Sequence, residues 1–394
     1  MVDFDLQHDR RHSNAIKWHV KPNELPMWIA DMDFITAPAI QEAMRLKIDT
    51  GIFGYEAVPD AYYEAVADWY DSRHGARPDT EWLLYVNGVI PALSSIVRRM
   101  TTVGDNVVVQ APVYDMFYHS IENNGRHTLS SDLQYDEDGH FYRINFADLE
   151  SKLAQPLSTL MILCNPHNPV GRVWDVGELT RIAELCQKHH VLLISDEIHG
   201  DLIFKGPAYT PIFAIPEPLV GNTVALVSPS KAFNVAALHA ATIVVPDANV
   251  REMISRGINN DELAEPNLLA IPASIAAYRD SGEWLDQLNA YLSNNREYVA
   301  EYLHNRLPAV HFASENATYL LWVDVAAYTS DARSLAEFIR ADSGLYLSSG
   351  TVYRGDGNHF LRLNVACPRA TVEAGLHRLA QSLDHWQAQG GEVS

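Results

Sequence analysis

Residues 160–199 read LMILCNPHNPVGRVWDVGELTRIAELCQKHHVLLISDEIH, and the order of apolar runs in this stretch indicates the fold class. It opens with the short apolar run Leu160–Cys164 and closes with a second run, Val191–Ser195. Such runs are typical of strands that are buried on both faces. Between them, Asp175 and Glu178 have the spacing of a helix N-cap and its third residue, which predicts that a helix begins here. A strand, a helix and a second strand in this order predict a parallel pair of strands.

The same kind of apolar run recurs on both sides of this unit. Four further runs are Trp82–Val86, Asn106–Gln110, Thr223–Val227 and Thr242–Val245. Helical periodicity fills the gaps between them, and alternating strands and helices are typical of a parallel sheet covered by helices. We therefore expect an α/β fold built on a mostly parallel sheet.

The pattern changes after Pro272. A long helix is predicted from Gly282 to Leu307, and a final helix begins at Thr371. Between these helices lie the short segments His311–Ala313, Thr318–Asp324, Ser334–Ile339 and His359–Asn364. This mixture predicts a smaller α+β domain. We expect an N-terminal segment over residues 1–45 that packs with the small domain, a large domain over residues 46–280 and a small C-terminal domain over residues 281–394.

The composition limits the classes of partner. The chain has 394 residues, of which 47% are hydrophobic, and its 29 Lys and Arg against 50 Asp and Glu give a formal net charge of −21. This surplus of negative charge repels phosphate backbones and anionic lipid headgroups, so we expect neither nucleic acid nor a membrane as a partner. Any phosphate-bearing ligand must be held by a locally built set of donors.

The cysteines and the N-terminal residues bear on location. Cys164, Cys186 and Cys367 lie far apart and match neither a disulfide framework nor a CxxC metal site, so we expect them to be reduced and buried. The first residues, MVDFDLQHDRRHSN, lack the apolar region of a secretion signal, and no run of about 18 uncharged apolar residues follows. The expected location is the cytoplasm.

Polar, turn-forming residues follow five of the predicted strands. They are Asn87-Gly88-Val89-Ile90, Ala111-Pro112-Val113-Tyr114, the run from Asn165 to Arg172, Ser195-Asp196-Glu197-Ile198-His199 and Ser228-Pro229-Ser230-Lys231. Ligands of open parallel sheets bind outside the carboxyl ends of the strands, so we expect these residues to face one site. Taken singly, each has an ordinary explanation, since a lysine after a strand usually lies on the surface and an aspartate there usually caps a helix.

The chain order of these groups is more informative than any one of them. A glycine turn that opens a helix, Pro-x-Tyr, Asn-Pro-x-Asn-Pro, an aspartate and Ser-x-Ser-Lys together resemble the pyridoxal-phosphate enzymes of the aspartate aminotransferase fold. The resemblance implies a large domain around a seven-stranded, mostly parallel sheet, a smaller α+β domain and pyridoxal 5′-phosphate as cofactor. The fingerprints GxGxxG, GxxxxGK[ST] and HExxH do not occur, so dinucleotide, P-loop and zincin interpretations lack their motifs.

Pyridoxal phosphate has to be held at its aldehyde, ring nitrogen, 3-oxygen and phosphate. Lys231 is the candidate for the Schiff base with the aldehyde and for abstracting the substrate Cα proton. Asp196 would keep the ring nitrogen protonated, because a nearby carboxylate favours the charged form. Asn168 would donate its amide to the 3-oxygen, although an asparagine between prolines can also stabilise a turn. Tyr114 would stack its ring on the cofactor, although it could be an ordinary core aromatic.

The expected phosphate ligands are backbone and hydroxyl groups. Gly88 permits a tight turn into a helix, so the amides of Val89 and Ile90 would face the anion at the positive end of that helix. The hydroxyls of Ser228 and Ser230 would complete the set. A glycine turn alone is weak support for this assignment.

The resemblance extends along nearly the whole chain and is strongest to the cystathionine β-lyase-like MalY/PatB branch of the class I and II aminotransferases. The segments that carry it are Trp28–Phe34, Gly54-Tyr55, Cys164–Trp174, Ser195–His199, Ser230–Asn234, Thr318–Trp322 and Leu361–Asn364. It implies that Tyr55 reaches the phosphate of the other subunit in a homodimer, and that Arg362, with Asn168, holds the substrate α-carboxylate. From the residues alone, Tyr55 could be a turn aromatic and Arg362 a buried ion-pair partner.

Two positions depart from the broader aminotransferase pattern. His199 stands three residues after Asp196, where many relatives have a tyrosine, and Asp-Glu-Ile-His is the form found in the β-lyase branch. We therefore keep His199 among the cofactor-binding candidates. His239 stands eight residues after Lys231, where many relatives have a phosphate-binding arginine; it could simply be packed. The acidic and histidine residues after the fourth strand are accounted for without a metal, so no metal is expected.

The leading hypothesis is β-elimination from a sulfur amino acid such as L-cystathionine, which yields a thiol, pyruvate and ammonia. Lys231 would abstract the Cα proton, and Lys231 or Tyr114 would protonate the departing sulfur. An aminotransferase of the same fold is the nearest alternative, because both reactions share their first steps. A protein that uses this fold mainly to bind a regulatory partner is a third.

Overall fold

The computed structural model of the chain describes residues 2–313 and 316–390. Its strands are β1 (Leu25–Pro26), β2 (Leu83–Val86), β3 (Asn106–Val109), β4 (His127–Ser130), β5 (Gln134–Asp136), β6 (Phe141–Arg143), β7 (Ser158–Cys164), β8 (Leu192–Asp196), β9 (Thr223–Val227), β10 (Ala241–Val244), β11 (His311–Phe312), β12 (Leu320–Asp324), β13 (Leu345–Tyr346), β14 (Ser348–Ser349) and β15 (Phe360–Asn364). Its α-helices are α1 (Pro38–Asp49), α2 (Asp60–His74), α3 (Val89–Met100), α4 (Asp115–Glu122), α5 (Phe146–Leu153), α6 (Val176–Lys188), α7 (Ala248–Asn260), α8 (Ala270–Asp280), α9 (Gly282–Arg306), α10 (Ala332–Ser343) and α11 (Arg369–Ala388).

A seven-stranded sheet forms the largest layer, in the order β2-β10-β9-β8-β7-β3-β4. The strands from β9 to β4 pair in parallel, and β10 pairs antiparallel with both β9 and β2. All strands except β10 therefore run in one direction. The predicted mostly parallel sheet is confirmed, and the carboxyl ends of six strands lie along one edge.

The two faces of this sheet are covered by different helices, as the continuous apolar runs predict. In β3, Val107 and Val109 pack with residues of α3, α4 and α7, whereas Val108 belongs to the core that contains residues of α2, α6 and α8. Successive side chains of a strand point to opposite faces, so both faces have to be apolar.

Helix α6 begins where the sequence predicts. The Asp175 carboxylate accepts the Glu178 backbone N–H at 2.8 Å, and the Glu178 carboxylate accepts the Asp175 N–H at 3.0 Å. This reciprocal pair satisfies two of the N–H groups that a helix start leaves without intrahelical acceptors.

The strand boundaries differ from the prediction at two places that matter. Strand β8 is shifted by one residue, so Asp196 is its last residue and pairs with Cys164 of β7. Strand β4 was not predicted, because its sequence, His127–Ser130, is polar and contains no apolar run. It lies at the open edge of the sheet, where one side of the strand remains in contact with water.

A second sheet has the order β11-β12-β15-β14 and is antiparallel. It contains the predicted segments around residues 311, 320 and 360, and α9, α10 and α11 accompany it. Trp322 of β12 stacks on Phe360 of β15 at 5.0 Å between ring centroids, and both side chains are buried. The predicted long helix is confirmed as α9.

The N-terminal residues bind to the C-terminal part of the chain. Strand β1 pairs in parallel with β13, and Glu24 forms an ion pair with Arg340 of α10 at 2.9 Å. Helix α1 packs against α8, which lies in the predicted large domain. The contacts of β1 and Glu24 agree with the expected packing of the N-terminal segment on the small domain, whereas α1 runs through residue 46 and packs on the large domain. The division at residues 46 and 281 stays a prediction.

Cys164, Cys186 and Cys367 are free and buried, as expected. Within the described residues, no helix combines the length and the apolar character that crossing a membrane requires.

Candidate active site

The predicted site residues gather at the carboxyl edge of the large sheet. Asp196 ends β8, Asn168 follows β7, and Lys231 follows β9. Their charges are close enough to act on one another, since Asp196 and Arg362 both influence the pKa of Lys231. The common direction of the strands produces this arrangement, because it brings turns that are distant in sequence to one edge.

Lys231 has the chemistry of an amine that can act near neutral pH. Burial lowers its pKa to about 8, and the nearby Arg362 guanidinium acts in the same direction, whereas Asp31 and Asp196 oppose the change. Its Nζ donates a hydrogen bond to the carbonyl oxygen of Ala30 at 2.6 Å. A substantial fraction of this lysine is therefore uncharged and nucleophilic at mildly alkaline pH.

Asp196 is a buried carboxylate that lacks a cationic partner in contact. Its side chain accepts one backbone N–H, from Ile198 at 3.2 Å. Burial raises its pKa to about 7, and Lys231 only partly opposes this. A buried acid in this condition favours any ligand that brings a positive N–H group to it, because the pair then replaces the lost hydration.

His199 is buried and neutral. Burial lowers its pKa to about 3, and the charges of Lys231 and Arg362 contribute in the same direction. Its Nδ1 atom has no hydrogen-bond partner among the described residues, and its ring lies 6.5 Å from that of Tyr319. A buried ring nitrogen without a partner is costly unless a ligand supplies one.

Asn168 and Arg362 are in direct contact. Arg362 of β15 is 5% exposed, and its Nη1 donates to the Asn168 side-chain oxygen at 3.1 Å while its Nη2 donates to the Trp28 carbonyl at 3.0 Å. No carboxylate of the described chain is paired with this guanidinium. The alternative that Arg362 is a buried ion-pair partner is wrong, so its charge is available to an anion.

Tyr114 lies at the start of α4 and lines a cavity of about 480 Å³ that also contacts Arg362. Burial, assisted by the adjacent Asp115, raises the pKa of Tyr114 to about 12, and Arg362 opposes this rise. Its hydroxyl therefore keeps its proton at neutral pH and can donate it. Tyr114 is half-buried and packs against the core while also lining this cavity, so both of its predicted roles stay open.

The predicted phosphate-binding groups lie beside the start of β10. Gly88 caps α3 with φ 126° and ψ 156°, and the amides of Val89 and Ile90 belong to the first helical turn, where no intrahelical acceptor exists. The Ser228 hydroxyl is 2.7 Å from that of Ser230 and donates to the Ala240 carbonyl at 2.7 Å.

These two groups are brought together by the sheet. Ala241, which follows the Ser228 acceptor, pairs with Val86 at the end of β2, two residues before Gly88. The backbone amides after Gly88 and the two serine hydroxyls therefore lie at the ends of β2 and β9, on either side of β10. None of these predicted phosphate ligands is a cationic side chain.

Two residues stand apart from this group. Tyr55 is 98% exposed and lies in a segment without helix or strand. His239 is exposed as well, with φ 52°, and its backbone carbonyl accepts the Tyr85 hydroxyl at 3.2 Å. The alternative that His239 is simply packed is therefore wrong for the described chain.

Residues 28–34 form a wall of the site that sequence reasoning did not assign. The carbonyl of Ala30 binds Lys231, and the carbonyl of Trp28 binds Arg362. The Asn364 amide donates to the carbonyls of Ile29 and Asp31 at 2.6 and 2.8 Å. Most of these contacts use backbone atoms, which leave no signal in the residue types. The one available signal was the resemblance carried by this segment.

Comparisons with known proteins agree with this geometry. A family model described as aminotransferase class I and II matches residues 30–379. Cystathionine β-lyase PatB from Bacillus subtilis strain 168 is 40% identical over 389 residues, which cover 97% of this chain and 100% of PatB. Protein MalY from Escherichia coli K12 is 33% identical and covers 97% of this chain and 99% of MalY.

Among solved structures, a pyridoxal-phosphate-bound putative aminotransferase from Clostridium difficile 630 superposes with a TM-score of 0.93 at 33% identity, covering 97% of this chain and 99% of that one. Cystalysin from Treponema denticola, which contains a pyridoxal 5′-phosphate cofactor, gives a TM-score of 0.92 at 30% identity, with 98% and 99% covered. The predicted fold is confirmed.

Proposed function

Since the chain belongs to the class I and II aminotransferase family, we propose that it is a pyridoxal-phosphate-dependent carbon–sulfur β-lyase. L-cystathionine, or a related cysteine S-conjugate, and one water would give a thiol, pyruvate and ammonia. The observation that carries the proposal is a half-buried lysine, whose pKa is lowered to about 8, in one site with a buried carboxylate and a buried guanidinium that have no ionic partner in contact. The curated relatives in the β-lyase branch support the choice of reaction.

The residues present fit pyridoxal phosphate. The buried Asp196 carboxylate has one backbone hydrogen bond, and the buried His199 has a ring nitrogen without a partner. A ligand with a protonated ring nitrogen and an oxygen substituent on the same ring, as pyridoxal phosphate has at its 3-position, would satisfy both kinds of group. When bound, the cofactor supplies an aldehyde for covalent attachment and an electron-withdrawing ring that stabilises negative charge at the substrate Cα.

Each residue would then have a defined task. Lys231 would hold the aldehyde and, once released from it, would accept the substrate Cα proton on Nζ. Asp196 would be ionised beside the protonated ring nitrogen of the cofactor, and its negative charge would keep that nitrogen protonated. Asn168 and His199 would form hydrogen bonds with the 3-oxygen of the cofactor, and Tyr114 would stack on the face of its ring.

The substrate would be oriented by Arg362. Its two terminal nitrogens already point to Asn168 and to the Trp28 carbonyl, so the guanidinium is held in place before a carboxylate arrives. Tyr114 would donate its proton to the departing sulfur, since burial keeps its pKa far above neutral. Lys231, once protonated by Cα, is the other donor available.

The phosphate would be bound by the amides of Val89 and Ile90 after Gly88 and by the hydroxyls of Ser228 and Ser230. Tyr55 would add a hydroxyl from the second subunit of a homodimer. Its 98% exposure in the single chain supports this placement, together with the exposed apolar neighbours Ile52 and Phe53, which a second copy would cover.

A cytoplasmic location belongs to the same proposal. It is supported by the three cysteines, which are buried and free rather than paired.

The direct test measures cofactor and reaction together. The purified protein should gain visible absorbance with pyridoxal phosphate and release pyruvate from L-cystathionine in a coupled assay. Lys231→Ala should abolish pyruvate release and the covalent attachment of the cofactor, whereas Lys205→Ala, at an exposed lysine paired with Glu297, should alter neither. Bound cofactor without pyruvate, but with transfer of the amino group to a keto acid, would contradict the lyase.

The aminotransferase alternative rests on one observation, the 33% identity to a solved protein described as a putative aminotransferase. Both reactions use the same lysine to take the Cα proton. The keto-acid assay separates them.

A further inference from the structure

The cavity beside Arg362 runs from the buried interior to solvent. Its volume is about 480 Å³, and its inner end is lined by Arg362, which is buried, and by Tyr114 and Tyr353. Its outer end is lined by Arg333 and Glu337 of α10, which are both exposed. A substrate held at Arg362 by its α-carboxylate would extend its side chain toward α10.

Much of the remaining lining of this cavity is aromatic and apolar. Trp28 and Tyr346 stack with their ring centroids 4.9 Å apart, and Leu347 and Val352 also line the space. Such a lining suits methylene groups and a thioether sulfur, which have no hydrogen bonds to satisfy.

The outer wall is one face of α10. Arg333, Ala336, Glu337 and Arg340 are spaced so that they lie on the same side of the helix. Arg340 is already neutralised, since its Nε and Nη2 donate to Glu24 at 2.9 Å each, and its guanidinium lies 3.7 Å from the centre of the Tyr346 ring.

Arg333 and Glu337 are different. Within the described chain, neither side chain has a hydrogen bond or an ion pair, although both lie at the cavity mouth. The mouth therefore presents one cation and one anion that form no hydrogen bond or ion pair, about one helical turn apart, although the charge of Arg333 also acts on the nearby Asp331.

We propose that Arg333 and Glu337 select substrates whose departing thiol itself carries an α-amino acid group, over cysteine conjugates with uncharged alkyl groups. The distal carboxylate would bind Arg333 and the distal ammonium Glu337. An uncharged substituent gains nothing from either ion. The cation also offsets the repulsion that a chain of net charge −21 exerts on a carboxylate. This inference rests on the proposed lyase activity.

The test compares kcat/KM for L-cystathionine and for S-ethyl-L-cysteine in the holoenzyme. Arg333→Gln and Glu337→Gln should each lower the ratio of the two values about threefold to tenfold, mainly through KM for cystathionine, as expected for the loss of a partly solvated ion pair. Arg333→Lys should retain most of the wild-type ratio, because the charge remains.

Arg256→Gln is the matched control. Arg256 lies on α7, pairs with the exposed Glu252 and does not line the cavity, yet its loss changes the net charge equally. An unchanged ratio in both cavity variants, or an equal change in Arg256→Gln, would overturn the inference and leave the lyase intact. A wild-type protein that releases pyruvate from neither thioether would overturn the proposed function and the inference with it.

Discussion

The Nζ atom of Lys231 donates a hydrogen bond to the carbonyl oxygen of Ala30 at 2.6 Å, although 201 residues separate them in the chain. The same segment accepts hydrogen bonds from Arg362 and Asn364. One short stretch of backbone thus contacts both the lysine and the arginine of the site. The two are held in a fixed relation, because each binds the same wall.

Asp196→Asn should stabilise the cofactor-free protein at alkaline pH. Burial raises the Asp196 pKa from 3.8 to about 7, so the folded state binds this proton more tightly than the unfolded chain does. The stability that this group contributes is fully present below pH 3.8 and is lost as the pH rises through about 7. The neutral amide avoids this loss, and Tm at pH 8 should rise by roughly 2–5 °C.

Thermal unfolding of the cofactor-free protein between pH 4 and pH 8 measures this effect. Some slope should remain, because burial also raises the pKa of Glu197 to about 7. Asp384→Asn, at a half-exposed carboxylate paired with Arg306, should leave Tm nearly unchanged. The same Asp196→Asn protein should lose pyruvate release when cofactor is present. A lower Tm at pH 8 would contradict the expected burial cost.

Arg362→Lys should lower kcat/KM for L-cystathionine by about tenfold to a hundredfold, the range for losing one charge-assisted hydrogen bond. A lysine keeps the charge but cannot hold Asn168, Trp28 and a carboxylate together. Steady-state kinetics should show the change mainly in KM. Cofactor absorbance is the control, because Arg362 is not among the groups that hold the cofactor; its complete loss would indicate a collapsed site instead.

Gly88→Ala should weaken cofactor binding about tenfold. Glycine is required here because its φ is 126°, which other residues rarely adopt. Lack of space is not the reason, because an added Cβ would come no nearer to another atom than 3.4 Å, to the Pro91 ring. Alanine would be strained by about 1–3 kcal/mol and would turn the Val89 and Ile90 amides away from the phosphate. Titration with pyridoxal phosphate measures the affinity.

Gly104→Ala provides the comparison for this variant, because Gly104 has φ 93° and its added Cβ would meet no atom within 4 Å. It should lose thermal stability to a similar extent while keeping its affinity for the cofactor. Equal losses of affinity in both variants would exclude a local role for Gly88.

Mixing two inactive variants should restore activity if Tyr55 acts across a dimer. A Lys231→Ala subunit contributes an intact Tyr55 to its neighbour, and a Tyr55→Ala subunit contributes an intact Lys231. After unfolding and refolding a 1:1 mixture, about a quarter of wild-type activity should return, since half of the dimers are hybrids with one complete site. No recovery, or a fully active monomer in sedimentation, would exclude the shared site.

The gathering of Asp196, Asn168 and Lys231 could be predicted because each follows a readable apolar strand. Parallel pairing then fixes the edge at which they meet. The contacts of the Ala30 and Trp28 carbonyls could not be predicted from the sequence, because every residue type has a backbone carbonyl. Arg333 and Glu337 were also missed, since charged residues four apart on a helix are the usual pattern of a solvated face.

Strand pairing and burial also decided the smaller errors. Asp196 was expected just after its strand, but pairing with Cys164 extends β8 to include it. Strand β4 has no apolar run because it lies at an edge. The placement of Tyr55 remains a prediction, because a single chain contains only one half of the contact that it proposes.

The contacts of residues 28–34 with Lys231 and Asn364 also have a consequence for synthesis on the ribosome. The first part of this wall emerges early, but Asn364 and Arg362, which hold it, are translated more than 300 residues later. The nascent chain can complete its large sheet, which ends at β10, while the site is still open. The complete site should therefore form only after Arg362 and Asn364 have emerged, well after the large sheet can fold.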